Sequence, residues 1–305
     1  MIYQSPITKS NNVRIITKIS TEELTQKYLN AFKIDVSYLM NDINEISLLA
    51  CGDTGYKFYF PHHIAGDSKF YEHFQQYDWY YMPWKWEHEK VAKLIKPGMK
   101  ILEVGCGSGG FLEGVSKRMP STSLNGLELN QKAIEEAQKK GINVLRELIN
   151  EHAESHFETY DLVCSFQVLE HIADVHAFLE AQIKTLKKGG LLTIAVPNNE
   201  SFARFDRNND ILNMPPHHMG LWTNKSLNRL QRIFPLKCIK QIKEPLQPYH
   251  FDWYLNILEK RINKIGKPLS SIYKKIKSKN ILRKTCTYFP WLVTGHTTIA
   301  IYKKI

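Results

Sequence analysis

The chain reads as an α/β protein built on a doubly wound, mostly parallel sheet. Three observations predict this. The stretch Ile101-Leu-Glu-Val-Gly-Cys-Gly-Ser-Gly-Gly-Phe111 has the form of a buried strand, a glycine turn and a helix start. Strand-like and helix-like segments then alternate to about residue 200. With 305 residues, the chain is long enough to bury an ample core.

Each element has its own warrant. Ile101, Leu102 and Val104 are the apolar run of a strand covered on both faces. Gly105, Gly107 and Gly109 let the backbone turn sharply and approach a ligand that a Cβ would obstruct. The turn ends at a helix N-terminus, whose unpaired N–H groups bind polar atoms. Residues 123–129 form a second strand with Glu128 at its tip, where a carboxylate can accept hydrogen bonds from ribose hydroxyls. Asn130 caps a helix that ends at Lys139-Lys140-Gly141. Residues 142–145 are a short third strand and 161–167 a fourth, followed by Val168-Leu-Glu-His-Ile172. An amphipathic helix over 174–188 closes at Gly189-Gly190, and a fifth strand over 191–196 stops at Pro197. Thr223 caps a helix over 224–234, 236–242 is a sixth strand, and 294–302 alternates as a seventh, antiparallel beside the sixth. Ahead of the sheet, residues 21–32 are a helix capped by Ser20 or Thr21, and 56–61 a strand stopped by proline.

Composition narrows the class. No apolar run reaches ~18 residues and no basic-then-apolar leader opens the chain, so neither a spanning helix nor a signal peptide is expected. Five scattered cysteines suggest reduced, cytoplasmic usage. The net charge is +11, and residues 251–305 carry +10 of it, twelve Lys/Arg against two Asp/Glu. That block is expected to be an inserted helical hairpin within 251–292, with helices over 253–265 and 270–287. One reading is a solvated helix packed on the sheet edge. The other is a peripheral contact with an anionic inner membrane surface.

The glycine spacing alone also satisfies a dinucleotide fingerprint. Glu103 decides between ligands, because a carboxylate at the strand end repels a pyrophosphate and attracts an ammonium. S-adenosylmethionine (SAM) carries an ammonium and a sulfonium and no phosphate. With Glu103 and the glycines, the sequence resembles motif I of the class I SAM-dependent methyltransferases. Val168-Leu-Glu-His-Ile172 is similar to the loop after the fourth strand in small-molecule methyltransferases of the ubiquinone-biosynthesis type. The resemblance implies a Rossmann-like seven-stranded sheet. It also implies SAM contacts by Glu103, Gly105, Cys106, Gly107, Gly109, Glu128, Leu129 and Gln167. The expected organisation is an N-terminal cap or lid over 1–85 and a methyltransferase domain over 86–305.

The N-terminal part resembles a subgroup found in bacterial polysaccharide and lipopolysaccharide clusters. The matching residues are Cys51 with Gly55-Tyr56 and Phe58-Tyr59-Phe60-Pro61, Gly66-Asp67 with Phe70-Tyr71-Glu72, Tyr80-Tyr81 with Lys85-Trp86-Glu87, and Pro215-Pro-His-His-Met-Gly-Leu-Trp-Thr223. The aromatic stretch 70–86 has two readings, a packed cap or a lid over cofactor and acceptor. Relatives often carry a cysteine pair near the start. This chain has Cys51 alone, so no zinc is expected there.

Methyl transfer to a hydroxyl needs alignment and a proton acceptor. His171, His217 and His218 fall in loops at the C-terminal edge of the sheet, and an imidazole titrating near 6.5 suits the task. His171 equally fits a loop-ordering role, and Glu170 could orient a histidine or contact the acceptor. Adjacent histidines are expected to point apart with no carboxylate beside them, so no metal is expected. The resemblance points to O-methylation of a sugar in surface-polysaccharide assembly. Methylation of an amine, a quinone or nucleic acid, or SAM binding without catalysis, are the alternatives. Against DNA bases, Gln167-Val168-Leu169-Glu170 stands where Asn/Asp-Pro-Pro-Tyr would be, and there is no Pro-Cys nucleophile.

Overall fold

The computed structural model describes residues 3–74, 76–77, 82–265 and 278–305. An antiparallel sheet forms before the main one begins. Strand β1 (Val13–Ser20) pairs with β2 (Glu45–Cys51), which pairs with β3 (Lys57–Phe60). β1 is an edge strand with mostly exposed side chains, which is why its sequence carries no alternation signal. Helix α1 (Thr21–Phe32) starts where Ser20 Oγ accepts the Glu23 N–H, and it buries Leu24 and Tyr28. Two short helices follow, α2 (Ser68–Phe74) and α3 (Trp86–Ala92).

The central sheet then forms by alternation. Strand β4 (Lys100–Val104) leads to α4 (Gly110–Arg118), β5 (Ser123–Leu127), α5 (Gln131–Lys139) and β6 (Val144–Leu145). The chain continues through α6 (Ile149–Ser155), β7 (Tyr160–Phe166), α7 (Val175–Thr185) and β8 (Leu186–Pro197). After β9 (Gly220–Leu221) and α8 (Asn224–Arg229) come β10 (Leu236–Pro245), α9 (Phe251–Ile265), α10 (Ser278–Tyr288) and β11 (Thr294–Lys304). The seven-stranded order is β10-β11-β8-β7-β4-β5-β6. β4, β5, β6, β7 and β8 run parallel, and β11 inserts antiparallel between β8 and β10. This is the Rossmann-like α/β sheet the sequence predicts. The order reverses between β4 and β7, and such a switch point opens a crevice at the strands' carboxyl ends.

Three details differ from expectation. The helix expected over 174–188 stops at Thr185, because fully buried Leu186 extends to pair with Tyr160 and joins β8. The helix α6 also went unread, since its seven residues are too few for a periodic signal. Strand β9 pairs with β3, so the N-terminal sheet is completed by residues from far along the chain. Asn130 caps α5 through Ala133 N–H, and Thr223 caps α8 through Ser226 N–H, both as read from the sequence. Of the expected basic hairpin, α9 and α10 are seen, while residues 266–277, with Lys274, Lys275 and Lys277, lie outside the described residues. Among the described residues no helix is long and apolar enough to cross a membrane.

Candidate active site

A cavity of about 1400 Å³ opens at the switch point, walled by Val104, Leu127 and Phe166 from the ends of β4, β5 and β7. The glycine loop forms one side. The N–H groups of Gly105 and Cys106 both donate to Leu127 O, at 2.8 and 3.0 Å, which folds the loop back over β5. Gly105 and Gly107 have φ of +73° and +53°, a conformation that branched side chains avoid. Glu128 holds the loop in place. Its Oε2 accepts the Gly107 N–H at 2.8 Å, and its Oε1 accepts those of Leu129 and Asn130. A carboxylate has about four acceptor positions, so one remains for a ligand hydroxyl.

Glu103 lies at the end of β4 and is 3% exposed, and its Oε2 has no hydrogen-bond partner among the described residues. Burial, with the Glu128 carboxylate beside it, pushes the Glu103 carboxyl well above the usual range. A ligand ammonium would satisfy that oxygen and favour its charged form. The glycine loop and the two carboxylates therefore fit the adenosyl and amino-acid parts of SAM. Gly105, Cys106, Gly107, Leu129 and Gln167 also line the cavity. Gly109, the N-cap of α4, does not, and a Cβ there would lie 3.0 Å from Ala137 of α5. Gln167 has a φ of +56° and donates to Glu87 Oε1 at 3.2 Å.

Two further loops meet at the cavity. Glu170 O accepts the N–H groups of Met219 and Gly220, at 2.7 and 2.9 Å, and this stitches the loop after β7 to the loop before β9. Tyr28 of α1 holds the second loop by donating its hydroxyl to Ile211 O and Met214 O. His171, His217 and His218 are thereby brought together. The ring centroids of His217 and His218 lie 4.6 Å apart, and His171 is 4.7 and 4.9 Å from them. This corrects the expectation that the adjacent pair diverges. The rings stack because His217 Nδ1 reaches back to Leu212 O and His218 Nδ1 to Asn213 Oδ1, each five residues earlier. A carboxylate does accompany them, with Glu170 Oε1 4.0 Å from His171 Nε2.

Burial also removes the expected titration near 6.5. It pushes His171 down to about 4, and His217 and His218 well below their usual value. All three are neutral imidazoles around pH 7. The Glu170 carboxyl, 1% exposed, is pushed up to about 8 by the same desolvation.

The aromatic stretch 70–86, for which the sequence allows a packed cap or a lid, also supplies part of the wall. Tyr71 OH lies 3.2 Å from His171 Nδ1 and donates to His217 O, so part of the aromatic stretch 70–86 faces the cavity. Tyr80 and Tyr81 lie outside the described residues. Tyr249, His250 and Trp253, around the start of α9, and His296 of β11 complete the lining. Trp253 and His296 rings are 5.3 Å apart. Proximity to α9 is a tertiary fact, and nothing in the spacing of these residues announces it.

Residues 71–241 match the family described as "Methyltransferase domain", more than half of the chain. The ubiquinone biosynthesis O-methyltransferase of Klebsiella pneumoniae subsp. pneumoniae is 30% identical over 112 residues, covering 35% of this chain and 46% of that protein. Its counterpart in Rhizobium leguminosarum bv. trifolii is 34% identical over 106 residues, covering 33% and 41%. The match thus spans less than half the length of these curated relatives. A solved SAM-dependent methyltransferase of Thermotoga maritima, described as a possible histamine N-methyltransferase, superposes with a TM-score of 0.51. It shares 14% identity and covers 78% of this chain and 97% of that one, a likeness of fold. With the glycine loop, the Glu103 and Glu128 carboxylates and the seven-stranded sheet, the match over 71–241 shows that the chain belongs to the methyltransferase-domain family, as a class I, SAM-dependent member.

Proposed function

We propose that this protein methylates a hydroxyl oxygen of a small polar acceptor, a sugar of surface-polysaccharide assembly. One observation carries the reading: the three neutral histidines and Glu170 converge in the same cavity that the glycine loop lines. SAM, when bound, supplies an electrophilic methyl group on a good leaving group. Glu103 and Glu128 hold its amino and ribose ends. Tyr71, His171 and the His217-His218 pair face the acceptor and orient its hydroxyl by hydrogen bonds, and an unprotonated imidazole nitrogen takes the proton that the hydroxyl loses as its oxygen gains the methyl. Trp253 offers a ring against which a sugar face can lie. The O-methyltransferase names of the curated relatives support an oxygen acceptor. The N-terminal segments that resemble the polysaccharide-cluster subgroup support the sugar.

Methyl-labelled SAM incubated with nucleotide-linked sugars, catechols and primary amines tests this. Label in a sugar fraction, stable to conditions that cleave methyl esters, is the expected result. Label in catechols or amines alone would move the acceptor to another class.

We also propose that the C-terminal segment touches an anionic lipid surface. Tyr288, Phe289, Trp291 and Leu292 are 72%, 48%, 67% and 68% exposed, a turn beyond the exposed cations Lys284 and Arg283, the latter paired with Asp252. Interfacial aromatics beside basic side chains suit the headgroup region, where each cation contributes ~1 kcal/mol. Sedimentation with vesicles should require anionic lipid and weaken as salt rises. It should be lost when Trp291 and Leu292 become serine and Arg283 and Lys284 become glutamate. Equal sedimentation with neutral vesicles, or none with either, would leave the segment as a solvated face.

A further inference from the structure

We propose that His171, His217 and His218, with the carboxylate of Glu170, bind one divalent first-row transition-metal ion of the kind imidazole favours, with zinc as the type case. One ring nitrogen from each histidine lies within 4.8 Å of the others. A tetrahedral ion with metal–nitrogen bonds of ~2.0–2.1 Å holds its nitrogens about 3.3 Å apart, a difference that side-chain rotation closes.

The hydrogen bonds set the rings for coordination. A backbone carbonyl only accepts, so His171 Nδ1 donates to His217 O, and His217 Nδ1 donates to Leu212 O at 2.9 Å. Asn213 Nδ2 donates to Asn199 Oδ1 at 2.8 Å, which leaves Asn213 Oδ1 as the atom that accepts from His218 Nδ1 at 3.1 Å. Every Nδ1 thus carries its proton, and each neutral ring has its lone pair on Nε2. A second-nitrogen N–H held by a carbonyl oxygen is the support that metal-ligating histidines have.

Glu170 supplies the anion. It is 1% exposed, neither of its carboxylate oxygens has a hydrogen-bond partner among the described residues, and Oε1 is 4.0 Å from His171 Nε2. A buried carboxylate without donors is costly, and a dication beside it offsets the cost. All four residues line the cavity. The ion would therefore face the cavity, and expansion from four to five ligands would let an acceptor oxygen coordinate it. The ion site stands apart from the identity of the acceptor, since binding needs neither SAM nor acceptor.

The test is cobalt substitution in the full-length protein, stripped with a chelator. One equivalent of Co²⁺ should bind, with visible absorption of a four- or five-coordinate ion, and Zn²⁺ should displace it. His171→Ala and His218→Ala should each remove the band, and Glu170→Gln should weaken it. Asn213→Ala removes the acceptor behind His218, together with the Asn213–Asn199 bond, and keeps all four proposed ligands; it should lower cobalt affinity by about 10- to 100-fold. Far-UV circular dichroism serves as the check on folding. Failure of folded wild-type protein to take up one equivalent would overturn the proposal. So would uptake that survives His171→Ala, since the chain has twelve histidines and the ion would then sit on others.

Discussion

Gly107→Val is expected to lower SAM affinity by about 100-fold while leaving the fold intact. Gly107 has a φ of +53°, where a β-branched residue is strained. Its N–H is the one that binds Glu128 Oε2 at 2.8 Å, so strain there also loosens the carboxylate placed for the ribose. Gly107 lines the cavity wall, which puts an added side chain in the space the cofactor takes. Gly105 is the poorer probe, because a Cβ there would lie 2.5 Å from Val168 and disturb the histidine loop too. Calorimetry with SAM, beside a thermal melt, reads both parts. Undiminished affinity would take the loop out of the cofactor site.

The second large effect is on turnover. His171→Ala is expected to reduce kcat by about 10²–10⁴-fold and to leave SAM affinity near that of the parent protein. The imidazole touches the second loop through His217 O and packs against both other histidines, so its loss opens the acceptor end. The glycine loop and Glu128 bond among themselves and do not touch it. Steady-state kinetics with a labelled-methyl assay separates the outcomes. Parental kcat would mean that the histidine cluster is structural and that acceptor chemistry occurs elsewhere in the cavity. A rise in KM alone would assign His171 to binding.

The cofactor half of the site was legible because its parts are local. Strand, glycine turn and helix start fall within Ile101 to Phe111, and Glu128 follows about one βαβ unit later. Strands β4, β7 and β8 carry mostly apolar runs, as parallel strands covered on both faces do. The acceptor half is tertiary. His171 and the His217-His218 pair could be placed at the right sheet edge, but not their mutual approach, which depends on hydrogen bonds from the N–H groups of Met219 and Gly220 to Glu170 O. Their depressed pKa values follow from burial that no spacing reveals. Strand β1 was missed because an exposed edge strand has no inside–outside alternation to read. The end of α7 was misplaced because a cationic, glycine-rich stretch resembles a helix stop, while pairing of Leu186 with Tyr160 decided otherwise.

Strand β9 has a consequence for engineering. It follows the histidine pair by a single residue, Met219, and it pairs with β3 of the N-terminal sheet. Met214, Met219 and Leu221 also share a core with Tyr28, Phe70 and Phe74. A chimera that exchanges residues 1–85 with a homologue would replace β3, deprive β9 of its native neighbour and leave the histidine loop without the hydroxyl of Tyr28 that anchors it. The histidine loop and the N-terminal sheet are therefore one packed unit split in sequence, and a graft must carry residues 211–221 together with that sheet.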